Sequence, residues 1–262
     1  MSLQKKITFG FFVLLIGLPI AGLWFIRHNR VARVPPKPRE EIAITIIPGW
    51  TLRDVANNLV KLGIASSTLD VYKVTGKPAD QNEPGTSAEG SLAPETVRFF
   101  KDVTVEEVIK TFHDLRVKQL TPELIAAIKV RNIKPEELLT MASIVEKEAR
   151  TEADRKLVAD ILWRRVKVGM ALQVDSTVHY AIDKTGDVYT TDKERSVDSS
   201  WNTYKHPGLP PGPICNPSLD SIEAALSPEP NGYWFFLSGT DGVMHYAKTL
   251  EEHTANRYKY LR

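Results

Sequence analysis

Hydrophobic and polar positions divide the chain into readable elements. Residues 7–26, ITFGFFVLLIGLPIAGLWFI, are twenty positions without a charge. At 1.5 Å rise per residue that length matches a hydrocarbon core of roughly 30 Å. The stretch predicts a transmembrane anchor after a short cytoplasmic tail (1–6), with Trp24 and Phe25 at the interface. A cleaved signal peptide would need a shorter apolar run and a small-x-small site, and none precedes Trp24. Pro-rich and basic residues then predict a stalk over 27–41. From there Ile42, Ile44 and Ile46 alternate with their neighbours, which predicts a strand. Pro48-Gly49 breaks it. Thr51 opens a helix with Leu52, Val55, Ala56, Leu59 and Leu62 on one face, and Gly63 stops it. A second short helix is expected over Leu69–Val74, so 42–76 reads as one compact strand–helix–helix unit.

Residues 77–91 are polar, with Pro and Gly, and predict a loop or junction. Four helix starts follow. Thr104 with Glu107 and Thr249 with Glu252 have capping-box spacing. Thr121-Pro122 and Lys134-Pro135 put proline at the first helical position. A helix from Pro135 to about Arg150 precedes one from Glu152 to Val168, which Gly169 ends. Tyr233–Leu237 and Val243–Ala247 flank the turn SGTDG and predict a hairpin. Helices mixed with antiparallel strands give the α+β class.

Composition narrows the chemistry. With 262 residues, 42% hydrophobic and 25% charged, the chain can bury a core. Residues 1–40 hold seven Lys/Arg and one acid, so the remainder is net acidic. That distribution does not suit a nucleic-acid-binding domain. One cysteine excludes an internal disulfide and a Cys-rich zinc site, and the six histidines form no HxxxH pair. There is no phosphate-binding GxxxxGK[ST] loop and no dinucleotide fingerprint.

Three stretches can carry chemistry. In MASIVEKEAR (141–150), Leu138, Met141, Ala142, Val145 and Ala149 form the apolar stripe. Glu148 falls on one edge of it and Glu146 on the other, while Lys147 points to solvent. A carboxyl against apolar side chains has a raised pKa and keeps its proton, as a general acid must. The spacing leaves both glutamates as candidates, and both as plain surface charges. The second stretch, WNTYKHPGLPPGPICNPS (201–218), packs five prolines and two glycines among Trp, Asn, Tyr and His. It predicts a rigid loop, either binding or connecting. In the third, ALQVDSTVHYAI (171–182), Gln173 and Asp175 either reach a substrate or serve the helix start, with Asp175 as its cap. Cys215 lies in the loop with no helix N-terminus beside it, and predicts a packed thiol rather than a nucleophile.

Taken in order, MASIVEKE, RRVKVGMALQVDSTVHYA, NTY (202–204), GLPPGPICNPS and the final hairpin resemble the YceG-like family of endolytic murein transglycosylases. IPGWTLRDVANNLVKLGI (47–64) is similar to that family's LysM-like module. The resemblance implies a LysM-like module over 42–80 and a catalytic domain over 86–262. It implies cleavage of the β-1,4 bond between N-acetylmuramic acid and N-acetylglucosamine, without water, to leave 1,6-anhydro ends. No cofactor or metal is needed for that. The second Glu of IVEKE, Glu148, is the implied acid–base residue. Gln173, Asp175, Asn202, Tyr204, His245 and Glu89 are implied to position substrate. The implied partners are peptidoglycan strands and the penicillin-binding synthases that make them. The implied location is outside the cytoplasmic membrane, although Arg27, Arg30 and Arg33 after the apolar run would by charge count put that side in the cytoplasm. The segment EGSLAPETVRF (89–99) departs from the family pattern, with Ser91 and Ala93 at aromatic-type positions and Glu95 for Asp. That departure admits an alternative, a glycan-binding scaffold with weakened catalysis.

Overall fold

The computed structural model describes residues 38–78, 88–186 and 190–261. The predicted tail, anchor and most of the stalk lie outside these residues. Among the described residues no helix is long and apolar enough to cross a membrane. Residues 41–262 form one compact unit, and it is α+β.

β1 (Glu41–Thr45) leads into the Pro48-Gly49 turn and α1 (Leu52–Lys61). Thr51 caps α1 and closes a full capping box with Asp54. α2 (Thr68–Thr75) follows. β2 (Thr96–Phe100) pairs antiparallel with β1, from Glu41 opposite Phe100 to Thr45 opposite Thr96. α3 (Val105–Gln119) starts at the Thr104–Glu107 box. The strand–helix–helix segment does not close a core by itself. Ile44, Ile46, Leu52, Val55, Leu59 and Val71 bury themselves against Leu92, Val108 and Phe112, which come from the 88–95 segment and α3. Each such side chain contributes roughly 1.5–3 kcal/mol on burial.

A second core surrounds α5. α4 (Pro122–Arg131) and α5 (Pro135–Glu148) both begin with proline. α6 (Glu152–Lys167) is capped by Thr151, and α9 (Leu219–Leu226) by Ser218. Leu138, Met141, Ala142, Ile144 and Val145 of α5 pack on Val158, Ala159 and Leu162 of α6 and on Ile222, Ala225 and Leu226 of α9. α7 (Asp175–Ala181), the single turn α8 (Asp192–Arg195), the hairpin β3 (Phe235–Ser238) with β4 (Met244–Ala247), and α10 (Leu250–Tyr260) complete the unit.

The Pro-rich loop 201–218 is irregular, as its prolines dictate, and it ties the two cores together. Asn216 is fully buried. Its backbone amide and side-chain amide both donate to Trp50 O (2.8 and 3.0 Å). Its carbonyl accepts from Gly49 N at 2.9 Å, and its Oδ1 from Leu92 N at 2.9 Å. Arg116 of α3 donates to the carbonyls of Leu92 and Pro217. Gly90 adopts φ +80°, and a Cβ there would lie 2.7 Å from Pro213.

Candidate active site

The C-terminal end of α5 opens into a cleft of about 1590 Å³. Its walls come from the 47–54 turn and helix start, residues 146–151, residues 173–186 around α7, and the β3–β4 hairpin. Glu148, Gln173, Asp175 and Tyr204 all line it.

Glu148 is the last residue of α5 and sits partly buried in the wall. Ser176 Oγ donates to its Oε1 at 2.6 Å. Burial pushes the Glu148 carboxyl above the usual carboxylate range. The Ser176 hydroxyl pulls the other way, and the nearby Asp175 charge pushes it further up.

Asp175 does not cap α7, because Val174 occupies that position and Asp175 is the first helical residue. Its carboxylate turns instead to Tyr204, whose hydroxyl donates to Oδ1 at 2.5 Å. Arg195 grips both oxygens, Nε to Oδ1 and Nη2 to Oδ2, each at 3.3 Å. Burial and the Asp175 carboxylate push the Tyr204 phenol well up, so it remains a donor.

Gln173 is exposed and holds a left-handed backbone (φ 52°), sparsely populated for a residue with a side chain. Thr203 maintains it. Its carbonyl accepts from Gln173 N at 3.1 Å, its hydroxyl accepts from Val174 N at 3.2 Å, and Thr177 Oγ1 lies 2.9 Å from that hydroxyl.

The remaining expected residues stand elsewhere. Asn202 is fully buried. Its Nδ2 donates to the carbonyls of Arg195 and Val197, and its Oδ1 accepts from Tyr204 N. It holds the Arg195 and Tyr204 backbones rather than facing the cleft. Glu89 is buried behind the wall and accepts from Leu52 N (3.0 and 3.1 Å) and from Tyr180 OH (3.2 Å). Burial pushes its carboxyl up to about 7, against the pull of the Leu52 amide, the Tyr180 hydroxyl and Arg53. His245 is outside the cleft lining and stacks on Tyr260, with ring centroids 3.4 Å apart.

Glu146, the other candidate on α5, also borders the cleft, but its side chain is 6% exposed and its oxygens are taken. Oε2 accepts from Ser218 N (2.8 Å), Ser218 Oγ and Ser221 Oγ (2.7 Å), and Arg155 faces Oε1 at 3.4 Å. Cys215 is a buried thiol donating to Ser143 O, and burial pushes its pKa well up. Sequence reasoning missed Ser176 and Arg195, which lie 28 and 20 residues from the carboxylates they bind, beyond any local spacing rule. Among the described residues no group of three or more His, Cys, Asp and Glu could hold a metal ion.

Comparison with known proteins places the chain in a family. An endolytic murein transglycosylase of Bacillus subtilis (strain 168) is 39% identical over 177 residues, covering 66% of this chain and 48% of that protein. One from Streptococcus pneumoniae serotype 2 is 35% identical over 173 residues, covering 64% of this chain and 31% of that protein. The chain thus spans about half or less of these curated relatives. A crystal structure of a YceG-like protein from Listeria monocytogenes gives a TM-score of 0.74 at 33% identity, over 81% of this chain and 75% of that one. The match to the YceG-like family extends over residues 27–259, and the chain belongs to that family.

Proposed function

We propose that this protein is a lytic transglycosylase of peptidoglycan, with Glu148 as its acid and base. Glu148, protonated, donates to the glycosidic oxygen between N-acetylmuramic acid and N-acetylglucosamine, and positive charge develops at C1. The carboxylate so formed takes the proton of the muramyl C6 hydroxyl as that oxygen attacks C1. An intramolecular nucleophile replaces a bound water, so one carboxyl suffices where most glycosidases use two. The products carry 1,6-anhydro-muramyl ends. The observation that carries this reading is a cleft carboxyl with raised pKa, beside a second carboxylate that Arg195 and Tyr204 hold in place. The cleft volume of about 1590 Å³ exceeds that of small-molecule pockets, roughly 300–1,000 Å³, and suits a polymer.

In the same reading residues 7–26 anchor the protein, 42–80 are a glycan-binding LysM-like module, and the compact unit works outside the cytoplasmic membrane. Penicillin-binding synthases supply the nascent strands. The test is the full chain in detergent with uncrosslinked glycan strands, products read by mass spectrometry, beside Glu148→Gln. Internal fragments with anhydro ends, lost in the variant, are expected. Reducing ends would make it a hydrolase, and strands bound but uncut would make it a scaffold. A protease-protection assay that puts 41–262 in the cytoplasm would overturn the location and the substrate together.

A further inference from the structure

Ser176 is the second residue of α7, and both of its neighbours are fixed. Asp175 is gripped by Tyr204 and Arg195. Thr177 is fully buried, with Oγ1 donating to Val174 O at 2.8 Å and lying 2.9 Å from Thr203 Oγ1. The Ser176 hydroxyl oxygen is thereby held 2.6 Å from Oε1 of Glu148, where it donates to the carboxylate, and its backbone amide favours the same carboxylate. A proton on Oε2 leaves the Ser176–Oε1 hydrogen bond intact, whereas a proton on Oε1 would require the Ser176 hydroxyl to turn and accept instead, so the geometry favours Oε2 as the site of the acid proton.

We propose that Ser176 is the positioning residue of proton transfer: it keeps Oε1 of Glu148 as an acceptor, so that Oε2 alone delivers the proton and takes it back. The proposal rests on the lytic reading above. In the first half the C1–oxygen bond breaks and the Oε2 proton moves to the departing oxygen. In the second, the C6 oxygen bonds to C1 and its proton goes to Oε2. Ser176 keeps its own proton throughout. The charged and titratable groups around Glu148 are Asp175 on α7 and Lys147 on its own helix, with Arg150 bordering the same cleft and Arg195 and Tyr204 bound to Asp175.

The experiment compares wild type, Ser176→Ala and Ser176→Thr, each as the full chain, by turnover of uncrosslinked strands across pH. In parallel, carbon-13 NMR titration follows the Glu148 side-chain carboxyl, which needs no turnover. For Ser176→Ala we expect kcat to fall roughly 10- to 100-fold with KM held within about twofold. The alkaline limb and the NMR midpoint should both move up, because the lost donor stabilised the carboxylate. Threonine should restore rate and midpoint. An unchanged rate, or a slower enzyme with an unmoved limb and midpoint, overturns the proposal. If Ser176→Ala melts below the assay temperature, Ser176→Cys takes its place, and a midpoint equal to that of threonine overturns it. Wild-type strands left uncut would sink the lytic reading, while the NMR titration would still decide whether Ser176 sets Glu148.

Discussion

Glu146 and Glu148 stand two positions apart on α5 and do opposite work. Glu146 is saturated by Ser218, Ser221 and Arg155 and fastens the 214–218 segment to the helix. Among the described residues Glu148 receives one side-chain donor, Ser176, and it borders the cleft with a carboxyl whose pKa burial raises.

The two glutamates should therefore separate chemistry from stability. Glu148→Gln is expected to lower turnover at least 100-fold while melting is unchanged or slightly raised. Glu146→Gln should retain chemistry but lose about 2 kcal/mol, a melting temperature lower by roughly 4–8 °C. Calorimetry beside product analysis checks both, and the reverse pattern would exchange their roles.

Removing the charge of Asp175 should act on the pH profile. Its carboxylate pushes the Glu148 pKa up. In the proposed mechanism activity needs Glu148 protonated and is lost as pH rises through that pKa. Asp175→Asn should thus move the alkaline limb to lower pH, with turnover down on the order of tenfold. A rate–pH series reads the direction, and an upward shift would contradict the arrangement.

Glu89 should give stability a slope. Its carboxyl is raised from 4.5 to about 7, so between those values the folded state binds more protons than the unfolded chain. Stability then falls as pH rises through that window, by up to ~3 kcal/mol. Glu89→Gln is expected to flatten the dependence. Denaturation midpoints at pH 5, 6, 7 and 8 would show it, and a slope surviving in the variant would assign it to another group.

Gly90→Ala should fail by sterics. A left-handed backbone and a Cβ 2.7 Å from Pro213 leave it no room. A loss of about 2 kcal/mol or more is expected, seen as a lower melting temperature with the cleft residues untouched.

Much of the helical frame was legible because its signals are local. Thr51, Thr104 and Thr121 cap their helices where expected, and the apolar stripe of 138–149 is the buried face of α5. Thr249 also caps its helix, but Glu252 reaches back to Lys248 N rather than to the cap itself. β2 was missed, because Thr96–Phe100 reads as part of a motif and its partner lies some fifty residues earlier. α9 was missed too, since Ser218 sits inside a proline cluster. At the cleft, sequence singled out Glu148, Gln173, Asp175 and Tyr204, which converge. It did not separate them from Asn202 and Glu89, because a buried polar residue that holds a wall carries the same residue type as one that faces the cleft.

The bonds made by Asn216 bear on how the chain folds. Gly49, Trp50 and Leu92 find these partners only at a residue more than a hundred positions later. Such distant closures lengthen the search for the native state. During synthesis the early core must wait, unfinished, until the Pro-rich loop has left the ribosome. A chain cut short at 200 would lack the clasp for its first third as well as its last, so the early and late thirds of this unit mature together.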